Sequence, residues 1–178
     1  LGEGLVKTLI EYSCKRQNEI YHSNLTPSEK TQNWTIIGGS GNMGKWFAEF
    51  THSLGHRVTI QDKIRSEEMN PDWIFKTDLK ESIKNAEVII LATPMMVTNK
   101  LIKDIADTAT NAIVIELCSL KSPVKEGVEY AKSKGIKLVS LHPMFGPNTE
   151  FLSGKNLILC ETIPEDASYD KIKDFISN

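Results

Sequence analysis

From Trp34 onward the chain alternates short apolar runs with stretches in which apolar residues recur every three or four positions. The runs predict strands at Trp34–Ile37, Arg57–Gln61, Trp73–Lys76, Val88–Ala92, Ala112–Leu117, Lys137–Leu141 and Asn156–Cys160. The helical spacing predicts helices at Met43–Leu54, Leu79–Asn85, Pro94–Ala106, Ser122–Lys134 and Pro164–Ile176. Runs such as VIIL and AIVIEL are nearly continuous in apolar residues, which suits strands covered on both faces rather than one. Alternation of strand and helix argues βαβ units, hence an α/β fold with a doubly wound, mainly parallel sheet. Right-handed crossovers then gather ligands at the carboxyl ends of the strands. Ahead of this region, Leu5, Leu9, Ile10 and Ile20 among charged residues predict a helix over residues 1–21. It has no core of its own and needs another surface to pack on, such as a domain outside this chain. Residues 22–33 are polar, include Pro27 and read as a linker, leaving residues 34–178 as one domain.

Composition narrows the functional classes. The chain has 178 residues, 40% of them apolar and 25% charged, as in an ordinary globular domain with a core of its own. A net charge of −2 provides no basic field to draw in nucleic acid or an anionic membrane. The longest apolar run, Val88–Ala92, is far short of the ~20 residues of a membrane span. The N-terminus lacks the pattern of a signal peptide, and Cys14, Cys118 and Cys160 form neither a disulfide framework nor a metal motif, so a cytoplasmic protein is expected. His52 and His56 are four residues apart, but Gly55 lies between them; they are expected at the surface rather than on a metal.

The most informative local motif follows the first strand. Residues 39–44 read G-S-G-N-M-G and lead into a helix. In a GxGxxG loop the first glycine, Gly39, permits the tight turn. Gly41 lets the backbone approach a pyrophosphate, and Gly44 lets helix and strand pack closely. Ser40, Asn42 and Met43 complete the loop, and the helix N-terminus presents free N–H groups to phosphates. Asp62 ends the second strand eighteen residues after Gly44, near the ~20 expected of the carboxylate that bonds the adenine ribose. This context points to a Rossmann-like dinucleotide-binding domain. Asp62 favours NAD, although Lys63 and Arg65 could embrace the 2′-phosphate of NADP.

Three later strand ends carry polar residues. Thr93 and Pro94 close the fourth strand, with Pro94 suited to a first helical position; they stand at the cofactor crevice or simply start a helix. Ser119 and Lys121 follow the fifth strand and either cap the next helix or line the crevice. His142 ends the sixth strand and runs into PMFGP, a loop stiffened by two prolines, where an imidazole could reach a substrate or serve structure alone.

The segments GGSGNMGKWFAEF, ATPMMVT, ELCSLKSPVKEG and above all LHPMFGPNTEFLSGKNLILC resemble prephenate dehydrogenase, closest to its forms fused to chorismate mutase. The resemblance covers Trp34 to about Cys160, and HPMFGP is its most telling element. LIEYSCKRQ, Leu9–Gln17, is similar to the end of the last helix of an α-helical chorismate mutase, with Gln17 at a glutamine of the mutase site. The resemblance implies an oxidative decarboxylation in tyrosine biosynthesis. Hydride passes from the carbinol carbon of prephenate to NAD(P)+, CO2 departs, and 4-hydroxyphenylpyruvate forms. It implies that residues 39–44 and Asp62 bind the dinucleotide, with Thr93 and Pro94 near its ribose and nicotinamide, and that Ser119 and His142 lie on the substrate side. It also implies a C-terminal helical domain, absent from this chain, that builds a homodimer and much of the substrate pocket. The sequence departs from the family at Met96, which replaces a histidine that accepts the substrate hydroxyl's hydrogen bond in many members. Arogenate is an alternative substrate. A deazaflavin-dependent NADP reductase would share the glycine loop but not HPMFGP, and a non-catalytic dinucleotide sensor would tolerate Met96.

Overall fold

The computed structural model describes residues 30–149, 155–160 and 172. The expected helix over residues 1–21, most of the linker, and the Pro164–Ile176 helix apart from Ile172 lie outside the described residues. The elements are β1 (Asn33–Ile37), α1 (Asn42–Ser53), β2 (Arg57–Gln61), β3 (Ile74–Lys76), α2 (Leu79–Ile83) and β4 (Val88–Leu91). They continue with α3 (Met95–Ala106), β5 (Ile113–Glu116), a 3₁₀ turn at Ser122–Val124, α4 (Lys125–Ser133), β6 (Leu138–Pro143) and β7 (Leu157–Cys160). Each predicted strand is present. The expected Ser122–Lys134 helix is divided, its first turn tightened into the 3₁₀ segment that contains Pro123.

The described strands form one seven-stranded sheet in the order β3-β2-β1-β4-β5-β6-β7. All neighbouring pairs are parallel except β6 and β7. The order reverses between β1 and β4, which makes their carboxyl ends the topological switch point. The alternation of side chains shows why the apolar runs are unbroken. Val88 and Ile90 of β4 join a core cluster with Phe47 and Ala48 of α1, whereas Ile89 and Leu91 join another with Ile102 and Ile105 of α3 and Ala131 of α4. All four β4 side chains are buried, each contributing about 1.5–3 kcal/mol relative to an exposed position.

Two expectations are corrected. His56 is not a surface residue: it is 3% exposed, stacks on Trp34 with ring centroids 5.3 Å apart, and accepts a hydrogen bond from the Gln32 amide at Nδ1. Burial holds its pKa below the usual imidazole range. The sixth strand also runs past Leu141. Antiparallel pairing with β7 sets His142 opposite Ile158 and Pro143 opposite Leu157, so the strand carries His142 at its carboxyl end, as expected, and extends one residue beyond it.

Candidate active site

The loop after β1 is built around backbone too crowded for side chains. Gly38 has φ +79°, and a Cβ there would fall 2.8 Å from Ala92 O and 2.9 Å from Thr93 Cγ2. The left-handed turn therefore belongs to Gly38, not to Gly39 as the motif implied. Gly39 is demanded instead by the side chain of Ile60, 2.7 Å from its hypothetical Cβ. At Gly44 a Cβ would stand 2.7 Å from Gly39 Cα and closer still to Gly38 O, so the first turn of α1 can pack on the loop only with glycine here. The doubled glycine GG ahead of the motif was the signal for Gly38.

Gly41 differs. It is the N-cap of α1 with φ −76° and ψ 161°, a conformation open to any residue, and its Cβ would meet only Gly38 O at 3.3 Å. The fold alone does not require a glycine at this exposed position. No side chain caps α1 and no acid lies in its first turn, so the helix end is left to an outside acceptor. Asn42 is exposed beside it, whereas Met43 turns half into the core. This combination fits a dinucleotide pyrophosphate. Gly41→Val is accordingly expected to keep the fold while weakening NAD(P)+ binding about 100-fold or more, a loss of ~2.7 kcal/mol. Calorimetry and thermal melting together check this; unchanged affinity would refute the assignment. Gly44→Ala, by contrast, should lose stability as well as binding.

Asp62 directly follows β2 and reaches the loop. Its Oδ2 accepts the Ser40 amide at 3.1 Å and its Oδ1 accepts the Lys63 amide at 2.7 Å. Each carboxylate oxygen can accept a further bond, so the acid can brace the loop and still take a ribose hydroxyl. The Ser40 hydroxyl donates to Ile64 O at 2.7 Å, tying the same two segments together. Lys63 and Arg65 are exposed alongside.

Thr93 lies against Gly38, so the structure brings β1 and β4 loops together as expected. Its hydroxyl shares a 2.9 Å hydrogen bond with that of fully buried Thr98. Pro94 is the N-cap of α3 rather than its first helical residue. Ser119 is exposed and caps neither the 3₁₀ turn nor α4, which excludes the capping reading. Met96 projects from the first turn of α3 and is 89% exposed.

His142 is half-buried, and its Nδ1 is shut from water with no hydrogen-bond partner among the described residues. A stranded polar atom costs about 1–3 kcal/mol and asks for an explanation such as a functional role. Beside it lies a network that sequence reasoning missed. Glu116, fully buried at the end of β5, accepts from Lys121 Nζ at 2.7 Å, from the Cys118 amide at 2.7 Å and from the Ser140 hydroxyl. Lys121 Nζ also donates to Cys118 O at 2.7 Å and to Leu141 O at 3.3 Å. The carboxyl ends of β5 and β6 are thus fastened together next to Ser119 and His142. The signal was a lone acid closing an apolar strand, IVIE, with a lysine five residues on. Cys118 in the same loop is no nucleophile, since burial pushes its thiol up to about 11.

Comparison with known proteins agrees with this architecture. Residues 47–178 match the model of the prephenate dehydrogenase nucleotide-binding domain. The chain is 29% identical over 130 residues to a Methanocaldococcus jannaschii protein provisionally named arogenate/prephenate dehydrogenase, covering 70% of this chain and 29% of that one. It is 24% identical over 161 residues to the T-protein of Enterobacter agglomerans, covering 90% of this chain and 39% of that one. It therefore spans well under half the length of these relatives. A Corynebacterium glutamicum structure provisionally assigned as a prephenate dehydrogenase is 25% identical with TM-score 0.53, covering 65% of this chain and 38% of that one. The NADP-bound pyrroline carboxylate reductase of Plasmodium falciparum shares the fold alone, at 15% identity and TM-score 0.65 over 84% of this chain and 55% of that one. The sheet order, the open glycine-loop helix and this match together place the chain in the prephenate dehydrogenase family, as its nucleotide-binding domain.

Proposed function

We propose that this domain serves an NAD(P)-dependent oxidation of prephenate to 4-hydroxyphenylpyruvate and CO2, with His142 as the group that accepts the substrate's hydroxyl proton. The place of His142, half-buried at the carboxyl end of β6 on the same sheet edge as the open glycine loop, is the observation that carries this reading. Gly39, Ser40, Gly41, Asn42, Met43 and Gly44 would hold the pyrophosphate and Asp62 the adenine ribose. Thr93 and Pro94 would border the nicotinamide ribose. When bound, the oxidised nicotinamide supplies the hydride acceptor. The chain's own residues orient the carbinol and remove its proton, which lets the ring carboxylate leave as CO2. Met96 has no proton-accepting atom, so this duty passes to His142, with Ser119 as an exposed hydroxyl in the segment that follows the neighbouring strand β5.

Among the described residues no helix is long and apolar enough to cross a membrane. Cys118 and Cys160 are free thiols, which supports placing the enzyme in the reducing cytoplasm. Met96, Val97, Leu120 and Met144 are exposed apolar side chains after three neighbouring strands. Such a rim suits burial against a helical partner domain in a homodimer. Assaying the intact protein with prephenate and with arogenate, each with NAD+ and NADP+, tests the reading. Turnover of neither substrate, with dinucleotide binding intact, would favour a sensing role instead.

The carboxylate of Asp62 beside Ser40 supports NAD as the preferred cofactor. Asp62→Asn is the informative change, because it keeps an acceptor for the loop while removing the charge that repels a 2′-phosphate. The NAD+/NADP+ affinity ratio is expected to fall about tenfold or more, in line with ~1.5–3 kcal/mol for a hydrogen bond to a charged group. A wild-type preference for NADP+ would show that Lys63 and Arg65 govern the choice.

A further inference from the structure

Trp46 lies on α1, two residues beyond Gly44, and its contacts reach across the molecule. Its ring stacks on Phe50 with centroids 5.4 Å apart and lies 4.9 Å from Phe145 at a 57° tilt. Its indole N–H donates to Thr149 O at 2.9 Å, spanning 103 residues of sequence. Phe145 and Thr149 both belong to the connection that leaves β6 just after His142. That connection is closed on itself, since the Thr149 amide donates to Gly146 O at 3.1 Å and the Met144 amide to Asn156 O at 2.9 Å. A helix whose amino end is open to phosphates thereby grips, one turn further on, the segment adjoining His142 at the carboxyl edge of β6. Trp46 is half-buried, and a partnered indole N–H together with an aromatic contact fixes both its position and its orientation.

We propose that Trp46 is a positioning residue that holds the 144–149 segment on α1 and so sets His142 at a fixed place relative to the dinucleotide site. The inference rests on the dehydrogenase reading above. No bond of the reaction passes through Trp46; it acts through Phe145 and Thr149. Because productive geometry is lost over distances of about 1 Å, a slack segment should lower turnover without altering phosphate binding.

The test compares wild type, Trp46→Phe and Trp46→Leu in the intact protein. Trp46→Phe keeps a ring against Phe145 and loses only the donor to Thr149; Trp46→Leu loses both. The amides of Met144, Phe145, Gly146, Asn148 and Thr149 are expected to exchange hydrogen about tenfold faster in Trp46→Leu, with a smaller rise in Trp46→Phe. The kcat for prephenate should fall about tenfold or more in Trp46→Leu and be partly rescued in Trp46→Phe, while NAD(P)+ affinity stays within about threefold. Unchanged exchange in both variants would overturn the clamp. Faster exchange with unchanged kcat would overturn the positioning role. If Trp46→Leu fails to fold, Trp46→Phe decides by the same two readouts. A wild-type enzyme inert toward prephenate and arogenate would overturn the functional reading and the positioning role with it, while the exchange result still decides the clamp.

Discussion

His142→Asn is expected to lower kcat for prephenate by about 10²–10⁴-fold, the range for loss of a general base, while NAD(P)+ affinity stays near wild type. The reasoning begins with burial. His142 is paired into β6 opposite Ile158, so its backbone is held by the sheet, and Trp46 fixes the segment that follows it. The residue is half-buried at the carboxyl end of β6, the edge at which the glycine loop also opens. Asn keeps a polar group of similar reach but cannot accept and pass on a proton near neutral pH. A rise in KM with kcat unchanged would instead mark a ground-state binding contact. Wild-type values of both would make His142 structural. Met96 sharpens the experiment, because the residue that shares this work elsewhere in the resemblance has no basic atom here.

Lys121→Met should cost about 3 kcal/mol of stability, the lower end for removing one partner of a buried ion pair. The lower end applies because the Lys121 side chain is 32% exposed, whereas that of Glu116 is 0% exposed. The substitution leaves the Glu116 carboxylate with the Cys118 amide and Ser140 hydroxyl but without a counter-charge. For a domain of this size the melting temperature should drop by about 6–12 °C. Combining it with Glu116→Gln should cost less than the two single changes added together, since the second removes the charge that the first strands. A loss of under ~1 kcal/mol, typical of an exposed pair, would show that the network does not carry the β5–β6 junction. Equal additivity would show that the two groups are uncoupled.

Much of the architecture was written in local patterns. The apolar run marked β4 because a strand buried on both faces has no polar position to spare, and all of Val88–Leu91 are buried. Glycines 39, 41 and 44 and the placement of Asp62 were legible because backbone crowding and strand-end position depend on short stretches of chain. The division of labour within the loop was not. That Gly38 takes the positive φ follows from Ala92 and Thr93, which approach from a strand more than fifty residues away in sequence.

Residue pattern alone determined the class of fold, the order of strands and helices, the glycine loop and the carboxyl-edge location of Thr93, Ser119 and His142. These depend on periodicity and on residues a few positions apart. Only the tertiary structure decided that His56 is buried against Trp34, that Glu116 and Lys121 join β5 to β6, and that Trp46 grips Thr149. It also decided that β7 turns back antiparallel and carries β6 through His142 to Pro143. The physical reason is common to all of them: each depends on which distant side chain or strand is brought within contact, and that is settled by packing of the whole sheet rather than by local preference.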